Sequence, residues 1–60
     1  MIRVMLVDDE QAARERLRQL LGPIPGLEIV GEAADGEQAI ERIVELRPDL
    51  VLLEIGRAHV

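Results

Sequence analysis

The chain has 60 residues, with 12 acidic against 7 basic side chains, a formal net charge of -5, and no Phe, Tyr, Trp or Cys. A chain of this length forms at most one small domain, whose core must be aliphatic. The acidic balance argues against nucleic-acid binding, which depends on basic residues that displace counterions. No apolar run approaches the roughly 20 residues that span a bilayer, and the N-terminus lacks a signal-peptide pattern. We therefore expect a cytoplasmic chain that binds neither nucleic acid nor membrane.

The first apolar run, residues 2–7, is short and rich in branched side chains, which predicts a strand buried on both faces. It stops in consecutive carboxylates, Asp8 and Asp9, immediately before a helical pattern. One interpretation is that either carboxylate caps that helix. A cap needs only one of the two, so the other would remain unexplained.

A helix is predicted next, because apolar side chains recur at i, i+4, i+7 and i+8. They are Ala13, Leu17, Leu20 and Leu21. The arginines of this segment, including Arg14 and Arg18, are expected to form a solvated face. Gly22 and the two prolines that follow it end the helix, and Gly22 suits a left-handed cap.

Partial alternation over residues 27–34 predicts an edge strand with Glu28 and Glu32 turned outwards. Asp35 and Gln38 then match a capping box at the start of a second helix. The stripe expected to be buried on that helix is Ala39, Ile40, Ile43, Val44 and Leu46. Pro48 ends the helix at about residue 46, and a third apolar strand follows.

The order strand, helix, strand, helix, strand predicts two right-handed βαβ units of an α/β fold. With the first strand central, the strand order is 2-1-3 and the ligand-binding crevice lies between strands 1 and 3. Asp8, Asp9 and Glu54 would line it. Three converging carboxylates repel one another, so either one takes up a proton or a hard cation such as Mg²⁺ binds there. Magnesium beside carboxylates and phosphate indicates phosphoryl chemistry.

Three segments together resemble the receiver domain of two-component response regulators. They are Val-Met-Leu-Val-Asp-Asp-Glu at 4–10, Val-Gly-Glu-Ala-Ala-Asp-Gly-Glu-Gln-Ala at 30–39 and Arg-Pro-Asp-Leu-Val-Leu-Leu at 47–53. The resemblance implies the βαβαβ half of a doubly wound, flavodoxin-like (βα)5 sheet, without enzymatic activity of its own. It also implies that in the intact domain Asp8 and Asp9 bind Mg²⁺, with Asp9 as the direct ligand, and that a sensor histidine kinase phosphorylates an Asp after strand 3. Glu54 occupies that acceptor position.

A further likeness concerns what the receiver is joined to. The segment Ala-Arg-Glu-Arg-Leu-Arg at 13–18 is similar to receivers joined to a LytTR-type DNA-binding domain. The resemblance therefore implies a C-terminal output domain in the parent protein, with DNA binding as one candidate activity.

The receiver pattern ends near residue 55. Residues 55–60 match no receiver segment, and they correspond to a translation of a common short-read sequencing adapter. We therefore expect a truncated receiver over 1–55, an artefactual tail over 54–60, and a non-functional Glu54, which is one methylene longer than Asp. Such a fragment would be inactive in phosphoryl transfer.

Two other function classes are alternatives to the receiver. A dinucleotide-binding enzyme would need a glycine-rich turn after the first strand, and residues 8–10 place negative charge there instead. A non-enzymatic α/β interaction module, or a pseudo-receiver that acts without phosphorylation, remains an alternative. The apolar third strand would leave an edge that invites self-association.

Overall fold

The computed structural model describes residues 1–53, which form a three-stranded sheet and two helices. The elements are β1 Ile2–Val7, α1 Gln11–Leu21, β2 Leu27–Ala33, α2 Gly36–Leu46 and β3 Leu50–Leu53. Both strand pairings are parallel, and the order is β2-β1-β3. The predicted α/β class, the central position of β1 and the order 2-1-3 are therefore confirmed.

The core is built around β1, whose side chains from Val4 to Val7 are fully buried. Met5 and Val7 share one face of the sheet and pack with Ala33 of β2 and Ala39 of α2. The alternate residues of β1 face the other side, towards α1, because right-handed crossovers to opposite edges place the two helices on opposite faces.

A bulge in β2 changes which of its side chains share a face. Val4 pairs with Ile29, but Met5 pairs with Gly31, so one residue of β2 is skipped. Glu32 consequently pairs with Leu6, on the α1 face, whereas Ala33 pairs with Val7, on the α2 face. A Cβ on Gly31 would lie 2.5 Å from Cδ1 of Leu46, so glycine lets α2 approach the sheet closely at the bulge.

The burial predicted for α2 is wrong in part. Ala39 is buried and Leu46 half-buried, but Ile40 and Val44 are 66% and 70% exposed, and Ile43 is also exposed. The reason is that α2 contacts only β1 and β2 within residues 1–53. A narrow strip of the helix is enough to cover two strands.

The ends of the helices differ in how well they were predicted. Gly22 has right-handed dihedrals, φ -54 and ψ -45, because its N–H continues the helical pattern to the Arg18 carbonyl; the expected left-handed cap is wrong. At α2 the Asp35 side chain accepts a hydrogen bond from the Gln38 N–H at 2.9 Å, as predicted. The Gln38 side chain reaches back to the N–H of Ala34.

The amino ends of β1 and β3 are joined by reciprocal hydrogen bonds. The Arg3 N–H donates to Oδ2 of Asp49, and the Asp49 N–H donates to the Arg3 carbonyl, each at 2.8 Å. The Arg3 guanidinium also donates to the carbonyl of Arg47, which ends α2 in the left-handed region at φ 49, before Pro48. Neither helix in the described range is long and apolar enough to cross a membrane.

Candidate functional site

The acidic turn predicted as the site lies at the carboxyl edge of the sheet. Asp8 and Asp9 follow β1 directly, and the last pair between β1 and β3 is Val7 with Leu53. The ends of these two strands are therefore side by side, at the crevice where ligands bind in open parallel sheets. Glu54, the residue predicted at the acceptor position, lies outside the described residues.

The two carboxylates of the turn differ in exposure. Asp8 is fully buried and its Oδ1 accepts a hydrogen bond from the Glu10 N–H at 2.9 Å, while its own N–H donates to the Ala33 carbonyl at 3.1 Å. Asp9 is exposed. The interpretation of these residues as helix caps is wrong, because α1 begins at Gln11, its N-cap residue is Glu10, and no side chain makes a cap bond there. Asp8 instead organises the turn before the helix.

The chemistry of this donor set fits a hard cation. Magnesium is usually held by one or two carboxylates, with water and substrate phosphate completing its six ligands. Asp8 and Asp9 supply oxygen donors, and the exposed carboxylate is the one that solvent and phosphate can reach. No group of three Asp, Glu, His or Cys side chains in residues 1–53 is placed to enclose a metal. Within the described residues, Asp9 is therefore the carboxylate of this turn that is open to solvent.

An ion cluster that the sequence did not predict lies beside the turn. The Nε of Arg14 lies 3.0 Å from Oε1 of Glu32, and Arg18 pairs with the other carboxylate oxygen. The Nη1 of Arg14 also donates to the Asp8 carbonyl at 2.5 Å. The Arg14 side chain is only 16% exposed and that of Glu32 24%, so the expectation of a solvated arginine face is wrong at Arg14.

Two opposing effects act on the pKa of the Glu32 carboxyl. Burial raises it, but the hydrogen bonds from Arg18 and Arg14, together with their positive charges, outweigh burial and hold the pKa below its ordinary value of 4.5. Glu32 is therefore an anion at neutral pH, and it keeps the Arg14 guanidinium in place beside the turn.

These features define a class of protein: a doubly wound parallel α/β chain with an acidic turn at the switch point of its sheet. A family model described as the response regulator receiver domain matches residues 4–56. That match covers most of the chain, and the chain belongs to this family.

Individual relatives agree with the family match. The chain is 51% identical over 55 residues to a response regulatory protein of Yersinia pestis, covering 92% of this chain and 23% of that protein. It is 50% identical over 54 residues to protein-glutamate methylesterase/protein-glutamine glutaminase 5 of Myxococcus xanthus, covering 90% of this chain and 16% of that protein. It is 42% identical over 55 residues to the transcriptional regulatory protein LiaR of Bacillus subtilis, covering 92% of this chain and 26% of that protein.

The chain thus spans 16% to 26% of the length of these three relatives. These relatives are therefore several times longer than the segment they share with this chain. No solved structure matched the chain.

Proposed function

We propose that this chain supplies the metal-binding half of a receiver site in a phosphorelay, in which a sensor histidine kinase is the phosphoryl donor. The observation that carries the proposal is the pairing of a buried Asp8 with an exposed Asp9 at the switch point of the sheet. Asp9 would hold Mg²⁺ directly, and Asp8 would fix the turn and add negative charge behind it.

The reaction of such a site is an in-line phosphoryl transfer. An acceptor carboxylate oxygen forms a bond to phosphorus while the bond from phosphorus to the donor histidine nitrogen breaks, and that nitrogen keeps the electron pair. Bound Mg²⁺ supplies charge neutralisation at the phosphoryl oxygens. Asp8 and Asp9 do not accept the group; they keep the cation next to the acceptor position.

The acceptor position determines whether this chain completes the reaction. Glu54 occupies the place that the receiver pattern assigns to Asp, and a Glu side chain is one methylene longer than that of Asp. We therefore propose that the 60-residue chain binds Mg²⁺ but accepts no phosphoryl group. The alternative is a non-enzymatic α/β interaction module, or a pseudo-receiver that acts without phosphorylation, and it would require Glu54 to be genuine.

The partners follow from the same proposal. The longer relatives place the shared segment in proteins named as a transcriptional regulator and as a methylesterase. We propose a cytoplasmic parent protein with a C-terminal output domain, for which DNA binding and enzymatic catalysis are the two candidate activities. The receiver segment itself would be neither an enzyme nor a nucleic-acid binder.

Magnesium titration of the ¹⁵N-labelled chain, followed by amide NMR shifts, tests the metal site. Saturable shifts centred on residues 8–10 are expected, and Asp9→Asn should weaken binding by about 10-fold or more. Glu28→Gln is the matched control, since it removes one exposed negative charge near the opposite end of the sheet, where Glu28 pairs with Arg3. Equal weakening by both variants would show diffuse charge attraction and contradict the site.

Phosphorylation is tested separately with acetyl phosphate and Mg²⁺, and intact-mass spectrometry is the readout. No added phosphoryl mass is expected on the 60-residue chain. A stoichiometric phosphorylated species would contradict the proposal that Glu54 makes this chain inactive.

A further inference from the structure

Arg14 connects the acidic turn to the middle of the sheet. We propose that Arg14, held by Glu32, is a positioning residue that fixes the peptide between Asp8 and Asp9 and so presents Asp9 to Mg²⁺. This inference rests on the proposed magnesium site, and it assigns a role in that site to an ion pair on α1 and β2.

The contact falls on the atom that controls the orientation of Asp9. Because a peptide unit is planar, the Asp8 carbonyl and the Asp9 N–H belong to one rigid plane. Nη1 of Arg14 donates to that carbonyl, so it fixes the plane through which Asp9 is attached. Two other bonds hold Asp8 on either side: its N–H to Ala33 and its Oδ1 from the Glu10 N–H.

Glu32 holds the Arg14 guanidinium in the orientation that makes this contact. Arg14 uses Nε for Glu32 and Nη1 for Asp8, so both edges of its planar guanidinium are committed in different directions. A carboxylate at 3.0 Å in a largely buried position leaves the arginine little freedom to swing away from the turn. Arg18 shares Glu32, but its side chain is 53% exposed. The hydrogen bonds of Arg18 in the described residues include none to the turn.

Electrostatics and positioning predict opposite results when Arg14 is neutralised. Removing a cation close to the site reduces repulsion of Mg²⁺ and should strengthen binding. Losing the anchor of the peptide plane should weaken it. Arg18→Gln also removes one positive charge that pairs with Glu32, but it leaves the hydrogen bond from Arg14 to the Asp8 carbonyl in place. It is therefore the matched control.

The experiment compares the wild-type chain with Arg14→Gln, Arg14→Lys and Arg18→Gln. Magnesium affinity is measured from the amide shifts of residues 8–10, and hydrogen exchange of the Glu10 amide is measured without Mg²⁺. We expect Arg14→Gln to raise the Mg²⁺ dissociation constant about 10-fold and to speed exchange of the Glu10 amide by a similar factor. Arg18→Gln should change each by less than about twofold, since an exposed ion pair contributes little. Arg14→Lys keeps the positive charge but has a single donor group. Its Mg²⁺ dissociation constant and its Glu10 exchange rate should lie between those of the wild type and Arg14→Gln.

Circular dichroism establishes that each variant is folded, and Arg14→Lys replaces Arg14→Gln in the comparison if the latter unfolds. Unchanged or tighter Mg²⁺ binding in the Arg14 variants would overturn the inference and leave the metal site standing. If the wild-type chain shows no saturable shifts at residues 8–10, the metal site itself fails. In that case, equal Glu10 exchange in the Arg14 and Arg18 variants also overturns the anchoring of the turn, and faster exchange only in the Arg14 variants supports it.

Discussion

Replacing Glu32 by alanine should remove about 2 kcal/mol of unfolding free energy at neutral pH. The contact with Arg18 is largely exposed and contributes about 0.5 kcal/mol. The contact with Arg14 is mostly buried and charge-assisted, and it contributes about 1.5 kcal/mol, because its loss leaves a guanidinium with no carboxylate partner. In a chain of 60 residues, a loss of this size lowers the melting temperature by about 8 to 16 °C.

The loss should depend on pH in a defined direction. The pKa of Glu32 in the folded chain lies below 4.5, its ordinary value and the one expected in the unfolded chain. A depressed folded pKa contributes stability that is fully present above the unfolded pKa and is lost as pH falls through the folded pKa. The difference between wild type and Glu32→Ala should therefore be constant from about pH 7 to 5.5 and shrink below about pH 4.5.

Urea denaturation followed by far-UV circular dichroism at several pH values measures this difference. Glu28→Ala is the control, since Glu28 is an exposed glutamate on the same strand and its loss should cost less than about 0.5 kcal/mol. A pH-independent gap, a gap that widens in acid, or equal losses at Glu28 and Glu32 would refute the reasoning.

Two further predictions concern the ends of α2. Asp35→Ala should lower the unfolding free energy by about 1 kcal/mol, because it removes the acceptor of the Gln38 N–H. Asp35→Asn should retain most of that stability. Chemical denaturation measures both, and equal losses in the two variants would contradict the cap. Arg47→Gly should raise the unfolding free energy by about 0.5 to 1 kcal/mol, since Arg47 has a φ of 49 that glycine adopts without strain. Arg42→Gly in the interior of the same helix should instead lower it by about 1 kcal/mol, and thermal melts that rank the two glycine variants the other way would exclude strain at Arg47.

The elements and their order could be predicted because their signals are local. The buried run of β1, the cap at Asp35 and the stop at Pro48 each specify a boundary within a few residues. The crossovers then leave few possible topologies. Asp8 and Asp9 were located by the same logic, since strands that end in carboxylates place them at one edge of the sheet.

The ion cluster could not be predicted, because it depends on an irregularity of the sheet. Strict alternation puts Glu28 and Glu32 on the same outward face, which is the arrangement predicted from the sequence; the prediction is wrong for Glu32. The bulge after Ile29 shifts the pairing by one residue, so Glu32 lies beside Leu6 on the face that α1 covers. The spacing of Arg14 and Arg18 does place them together on the helix, but their partner is 18 residues from Arg14 in the sequence.

The exposure of α2 has a different cause. Periodicity specifies which side of a helix is apolar, and it does not specify how much of that side a neighbouring element covers. Ile40 and Val44 belong to the apolar side but lie beyond the strip that contacts β1 and β2.

The reciprocal bonds between Arg3 and Asp49 determine how tolerant the site is to insertions. These residues are 46 positions apart, and no hairpin sets the alignment of β3 against β1. From Asp49 the strand advances about 3.3 Å per residue, so that Leu53 arrives level with Val7 at the acidic turn. One residue added or removed between Asp49 and Leu53 would displace the end of β3 by that step and turn its next side chain to the opposite face. The number of residues counted from Asp49, more than the identity of the four apolar side chains, sets where β3 ends relative to the acidic turn.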